Sequence, residues 1–138
     1  MTEQQIILIK KSWRIFRQID PHLVGGVFYE KLFAEQPGLR KMFKGSIDAQ
    51  SQKLIDMLSA IVMHLDDLEN LKADIRDLAI RHVAYGVKPE HYNAVGAALL
   101  WTLEQGLGSD WNTDVENAWS ACYGVLAATM IQASRQTK

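Results

Sequence analysis

Residues 71–87 read LKADIRDLAIRHVAYGV, and their periodicity decides the fold class. At about 100° per residue, Leu71, Ile75 and Leu78 fall within about 40° of His82, whereas Lys72, Asp74, Arg76, Asp77 and Arg81 lie about 80° or more away. The stretch is an amphipathic helix closed by Gly86, and a histidine sits on its apolar face. His82 therefore points inward. Two readings are open for such a residue. It can be a buried imidazole satisfied by a backbone carbonyl, or it can ligate iron or zinc. Zinc requires about four convergent Cys, His or carboxylate ligands, and no second histidine reads as core-facing: His22 lies in a first turn, His64 near the end of its helix, and His91 beside Pro89. A haem needs one protein ligand and an apolar pocket.

Outward from this stretch the pattern stays helical. Upstream, Leu54, Met57, Leu58, Ile61, Val62 and Leu65 repeat at three and four residues, the cleanest stripe in the chain. Thr2 with Gln5 reads as a capping box for a helix carrying Ile6, Ile9, Trp13 and Phe16 and ending near Asp20. Asp20 and Pro21 open a second helix that runs through Phe33 until Pro37 interrupts it. Downstream, Pro89 opens a helix with Val95, Leu99 and Leu103, and Gly106 and Gly108 read as its stop signals. Thr113 with Glu116 reads as a second capping box, before Trp119, Cys122, Leu126 and Met130. No segment alternates with period two long enough to argue a strand. The expected class is all-α, with six or seven helices in one domain spanning residues 1–138.

Composition narrows the function. The chain has 138 residues, 15.6 kDa, 48% apolar and 22% charged, which excludes disorder and collagen and leaves room for one pocket. One cysteine, Cys122, excludes an internal disulfide and CxxC motifs. A net charge of -1 gives no electrostatic footprint for nucleic acid or an anionic membrane. No signal-peptide pattern or long apolar run is present, so a soluble cytoplasmic protein is expected. HExxH, GxSxG, phosphate-loop and GxGxxG motifs are all missing.

Two neutral donors complete the reading. Gln50 lies about 40° from Leu54 on the strong stripe, a polar amide ahead of an apolar row. Tyr29 shares a helix face with Gly25, Gly26, Leu32 and Phe33. Paired glycines let another helix cross closely there, which brings the Tyr29 hydroxyl over the interior. Each residue alone has a plainer reading, a tyrosine bonded to some carbonyl and a glutamine solvated at a helix start. With a core histidine about thirty residues later, they form one constellation.

Phe28-Tyr29 with Leu32-Phe33, then Pro37, Phe43, Gln50 with Lys53-Leu54, Arg81-His82 with Tyr85-Gly86-Val87, His91-Tyr92 with Val95-Gly96, and Ala118-Trp119 with Tyr123-Gly124 together resemble the bacterial single-domain globins. These belong to the lineage that supplies the haem domain of flavohaemoglobins, and within it the chain is most similar to the stand-alone haemoglobins of the Hell's Gate type. The resemblance runs from about residue 5 to residue 132. It implies a globin fold, the three-over-three helical sandwich, with haem b (iron protoporphyrin IX) between the helix of Gln50 and Leu54 and the helix of His82. It makes His82 the proximal iron ligand, Phe43 the ring stacked on the porphyrin, Tyr29 and Gln50 the distal polar pair, and Leu54 the apolar ceiling. Tyr92 matches the proximal tyrosine, Lys53 and Arg81 match positions that contact the propionates, and Tyr85, Val87 and Val95 complete the cofactor pocket.

Two departures shape the expected activity. In flavohaemoglobins the tyrosine matched by Tyr92 pairs with a glutamate on the last helix; the corresponding position here is about Ser134, and no Asp or Glu follows Glu116. The resemblance therefore implies gas binding over peroxidase-like activation, with no catalytic residue assigned. The sequence shows no flavin or nicotinamide domain, so turnover is expected to need a separate reductase. The leading expectation is reversible binding of oxygen (O2) and nitric oxide (NO), with CO as a further ligand, at a five-coordinate iron. The alternative is nitric oxide dioxygenation. Sensing ranks last, since no transmitter segment accompanies the motifs. A monomer or weak dimer is expected.

Overall fold

The computed structural model describes residues 1–43, 46–84 and 86–135, and for Leu68 the backbone only. Among these residues it has six α-helices and no strand: α1 (Glu3–Phe16), α2 (Pro21–Glu35), α3 (Ile47–Met63), α4 (Lys72–Ala84), α5 (His91–Leu107) and α6 (Thr113–Arg135). Short 3-10 turns at Pro37–Met42, Leu68–Leu71 and Gly108–Asp110 link them.

Helix ends follow local chemistry. Thr2 and Gln5 form the reciprocal capping box of α1, satisfying two of the orphan backbone donors at the helix start. Asp20 caps α2 by accepting from the His22 amide at 2.9 Å, with Pro21 in the first turn. Ser46 caps α3 through the Ala49 amide at 3.1 Å, which puts Gln50 in the first turn of α3. Gly86, at φ +89°, carries the chain away from α4 in a conformation that side-chain-bearing residues rarely adopt.

Some boundaries depart from the sequence expectation. Helix α1 stops at Phe16, short of Asp20, and α2 runs on to Glu35. The cap of α6 is Asn112, whose Oδ1 accepts from the Val115 amide at 2.9 Å, so the capping residue lies one position before Thr113. Gly106 is inside α5, and a Cβ there would stand 2.5 Å from the Phe16 ring; it is a packing glycine, and Gly108 at φ +54° is the one that ends the helix.

The core joins the helices in a fixed set of pairs. Helix α1 docks chiefly on α6, α2 crosses α3 and α5, and α4 lies along α6. Trp119 ties the first pair: its Nε1 donates to Ser12 Oγ at 2.9 Å, and that hydroxyl donates back to the Leu8 carbonyl at 2.8 Å. Around this bond Ile9, Phe16, Leu32, Leu103 and Trp119 are almost wholly excluded from water, each contributing about 1.5–3 kcal/mol by burial. Among the described residues α3 and α4 do not pack closely on one another, although each is anchored to the same core through other helices.

Candidate functional site

Tyr29 stands where α2 meets α3. Its ring meets Phe28 edge-on at 4.9 Å, Phe43 edge-on at 5.1 Å and Phe33 in a stacked arrangement at 5.9 Å. Its hydroxyl donates to the backbone carbonyl of Gln50 over 3.4 Å. Burial pushes the Tyr29 phenol up to about 12, so the hydroxyl remains a donor throughout the neutral range. The helix crossing that brings these two together depends on Gly25, where an added Cβ would overlap Ser51. Gly26, its neighbour, has open space before it and takes no part in the crossing.

Gln50 and Leu54 follow on α3, one turn apart and both half-buried, while Lys53 is exposed beside them. Phe43 is half-buried and packs against Tyr29 and Phe33. Behind this cluster an open groove of about 440 Å³ is lined by Gly26, Tyr29, Glu30, Phe33, Arg40 and Ile47, among others, with the Arg40 guanidinium 5.6 Å above the Phe33 ring. Periodicity offered no sign of this groove, because Arg40 lies on a 3-10 turn, outside any stripe.

His82 lies near the end of α4, half-buried, above the buried Ile75 and Ala79. Its Nδ1 is 2.8 Å from the Leu78 carbonyl. A carbonyl only accepts, so Nδ1 carries the proton and the lone pair resides on Nε2. Burial lowers the His82 pKa, the bond to Leu78 partly opposes this, and the Arg81 charge adds to the lowering. The neutral imidazole, the form that binds a metal, is favoured. Arg81 is exposed, and Val87 and Val95 are half-buried against the core. Tyr85 lies outside the described residues.

Tyr92 is buried at the start of α5, and its backbone carbonyl accepts from the Tyr123 hydroxyl at 2.6 Å. Gly96 makes room for the Tyr123 ring, since a Cβ there would stand 2.5 Å from it. Burial raises the phenols of both tyrosines, and for Tyr123 the nearby Tyr92 adds to this. Tyr123 is the brace that pattern reading did not assign to the site. Its place one turn after Trp119 on α6 was the available signal. Ser134, half-buried, donates to the Ile131 carbonyl of its own helix at 2.6 Å.

Two of the other histidines have side-chain partners. His22 pairs with Asp48 at 3.2 Å, His91 accepts from the Lys88 amide at 3.0 Å, and His64 is the C-terminal cap position of α3. Among the described residues no three His, Cys, Asp or Glu side chains converge to hold a metal ion. A neutral, oriented imidazole, together with the half-buried Phe43, Leu54, Leu78, Val87 and Val95 packed against the edge of the core, suits a metal that brings its own ligands on an apolar frame. The residues present fit a haem.

The profile of the globin family matches residues 26–130, from α2 through most of α6. The chain is a globin. This globin is 32% identical over 131 residues to an uncharacterized globin-like protein of Aquifex aeolicus, covering 95% of this chain and 92% of that protein. It is 31% identical over 134 residues to a flavohemoprotein of Vibrio cholerae, of which it spans 34% of the length. A solved structure of an engineered carbene transferase, described as a candidate nitric oxide dioxygenase from Rhodothermus marinus, superposes with a TM-score of 0.89 at 26% identity, covering 99% of this chain and 95% of that one. The globin fold anticipated from the sequence is the fold observed, and it places the protein in a family of haem proteins that bind gases such as oxygen. No helix of the described residues is long and apolar enough to cross a membrane.

Proposed function

We propose that this globin binds oxygen and nitric oxide reversibly on a haem b that His82 holds by Nε2. The observation that carries the reading is the meeting of the Tyr29 hydroxyl with the backbone carbonyl of Gln50 where α2 crosses α3. When bound, the haem would supply an iron able to take up a diatomic gas. Everything else is the work of the chain. The Leu78 carbonyl orients the His82 ring; Phe43 would pack on the haem, and Leu54, Val87, Val95 and Tyr92, with Tyr85 assigned from the resemblance alone, would keep water from it. Lys53 and Arg81, both exposed, would pair with the haem propionates.

Tyr29 and Gln50 then sort the gases. A donor hydroxyl would favour a gas that gains partial negative charge when held, as oxygen would and carbon monoxide would not, by roughly 1.5–3 kcal/mol, about ten- to a hundredfold in release. Gln50 has no ring nitrogen to offer iron, which keeps the gas position open. A monomer or weak dimer in the cytoplasm completes the reading.

Substitution of His82 by leucine tests it. The variant should fold as a helical protein and lose most of its haem, read from the Soret absorbance per chain and from circular dichroism. A variant with the parent's ferrous spectrum and haem stoichiometry would assign the ligand elsewhere.

A second reading, conversion of nitric oxide and oxygen to nitrate with a separate reductase returning the electron, is favoured by the likeness to the Rhodothermus marinus protein. Sustained nitric oxide consumption with an added cellular reductase supports it, and a single turnover refutes it.

A further inference from the structure

Resting on the gas-binding reading above, we propose that the crossing of Gly25 and Ser51 is a specificity-determining device, one that sets how far the Tyr29 hydroxyl reaches toward a bound gas. At this point the backbones of α2 and α3 are in contact. A Cβ built on Gly25 would lie 1.6 Å from Ser51 Oγ, 2.1 Å from its Cβ and 2.9 Å from its Cα. Ser51 cannot move aside, because it is wholly buried and its hydroxyl is turned back onto the Ile47 carbonyl at 2.7 Å.

The two groups that would handle the gas are next to this contact. Tyr29 is one turn beyond Gly25 on α2, on the same face, and Gln50 directly precedes Ser51 on α3. The bond between the Tyr29 hydroxyl and the Gln50 carbonyl is 3.4 Å, long for a hydroxyl donor, whose bonds cluster at about 2.7–2.8 Å. The proton is parked and lightly held, so it can be redirected to a gas at small cost. A closer crossing would shorten that bond and commit the proton to the backbone. A wider one would draw the hydroxyl away from the gas. Gly25 and Ser51 act through Tyr29, as positioning residues, and the separation they impose selects for oxygen over carbon monoxide.

The test is made on the haem-loaded protein. Gly25→Ala must part the helices by about 1–2 Å to restore ordinary contact distances. It should speed oxygen release about fivefold or more, with carbon monoxide release changed by less than about twofold. Adding Ser51→Gly removes the two atoms that clash hardest and leaves only the 2.9 Å approach to the Cα of residue 51, so it should return oxygen release most of the way toward the parent rate. In a Tyr29→Phe background Gly25→Ala should have little further effect. Independently, the Tyr29 ring resonance of ring-labelled protein, assigned by its loss in Tyr29→Phe, should shift in Gly25→Ala and return in the double variant.

Parallel changes in both gases, an undiminished effect in the Tyr29→Phe background, or no recovery in the double variant overturns the proposal, because a merely structural role predicts those results. If Gly25→Ala does not fold, Ser51→Cys places a larger atom at the same contact and must show the same oxygen-selective, Tyr29-dependent shift. If Tyr29→Phe itself leaves oxygen release unchanged, the reading of Tyr29 fails first; if it speeds release while the crossing variants do not, only the role of the crossing fails.

Discussion

Replacing Tyr29 by phenylalanine keeps a ring against Phe28, Phe33 and Phe43 and removes one hydroxyl, so the variant isolates a hydrogen bond from its packing. Oxygen release should quicken about tenfold or more with carbon monoxide release nearly fixed, as flash photolysis would measure. Gln50→Leu should act in the same direction and less strongly, because ordering a glutamine costs more entropy than ordering a tyrosine. The two together should depart from additivity, since both donors would serve one acceptor. Equal oxygen release in the parent and Tyr29→Phe would remove Tyr29 from the site. The pH behaviour has a definite sign. The fold raises the Tyr29 phenol from 10.0 to about 12 and so favours the neutral form; its stabilisation is complete below the unfolded value and fades as pH rises toward the folded one. Oxygen release should therefore stay flat from about pH 6 to about pH 10, and a rise beginning near pH 8 would contradict a buried, protonated donor. Sequence placed Tyr29 inward because glycine and aromatic neighbours share its face. It could not reveal that the resting acceptor is the Gln50 backbone carbonyl, since every residue has one.

Helix ends show why a good local pattern can still be off by one residue. Thr113 and Glu116 have the spacing of a capping box, yet Asn112 is an equally good capping type one position earlier, and its side chain makes the bond to Val115. Asn112→Ala should cost about 1 kcal/mol in a urea titration while Thr113→Ala costs much less; the reverse order would restore Thr113 as the cap. Gly106 and Gly26 were hidden for a different reason. Whether a helical glycine stops, packs or merely lies open depends on what crosses it, and for Gly106 that is the ring of Phe16, far away in sequence. Periodicity within one helix carries no information about such a crossing. Stripes, caps and prolines did give the order of all six helices, because those signals are local. His82 was legible as inward for the same reason, whereas the brace from Tyr123 to the Tyr92 carbonyl joins two helices and was not.

For the whole molecule, α3 and α4 do not pack closely on one another among the described residues, so a cofactor held by both would add to stability. A ligand that binds the native state alone stabilises it by about 4 kcal/mol at a thousand times its dissociation constant, so reconstituting haem-free protein should raise the thermal midpoint by several degrees, about 2–8 °C per kcal/mol for this size range. An unchanged midpoint would mean that haem adds nothing to the stability of the folded chain. That α4 pairs with α6 and leaves α3 apart could not be read from amphipathic stripes, which say that a face is buried and not against which partner. The opposite seam, between α1 and α6, bears on how the chain is made. Ser12 and Trp119 are 107 positions apart, and a ribosome adding about 5–20 residues per second needs roughly 5–20 s to cover that interval. Until then Trp13 and Phe16 on α1 lack their main docking surface. Helix α1 thus leaves the exit tunnel well before α6 exists to seat it, and for those seconds its apolar side is the surface on which a nascent-chain chaperone would act.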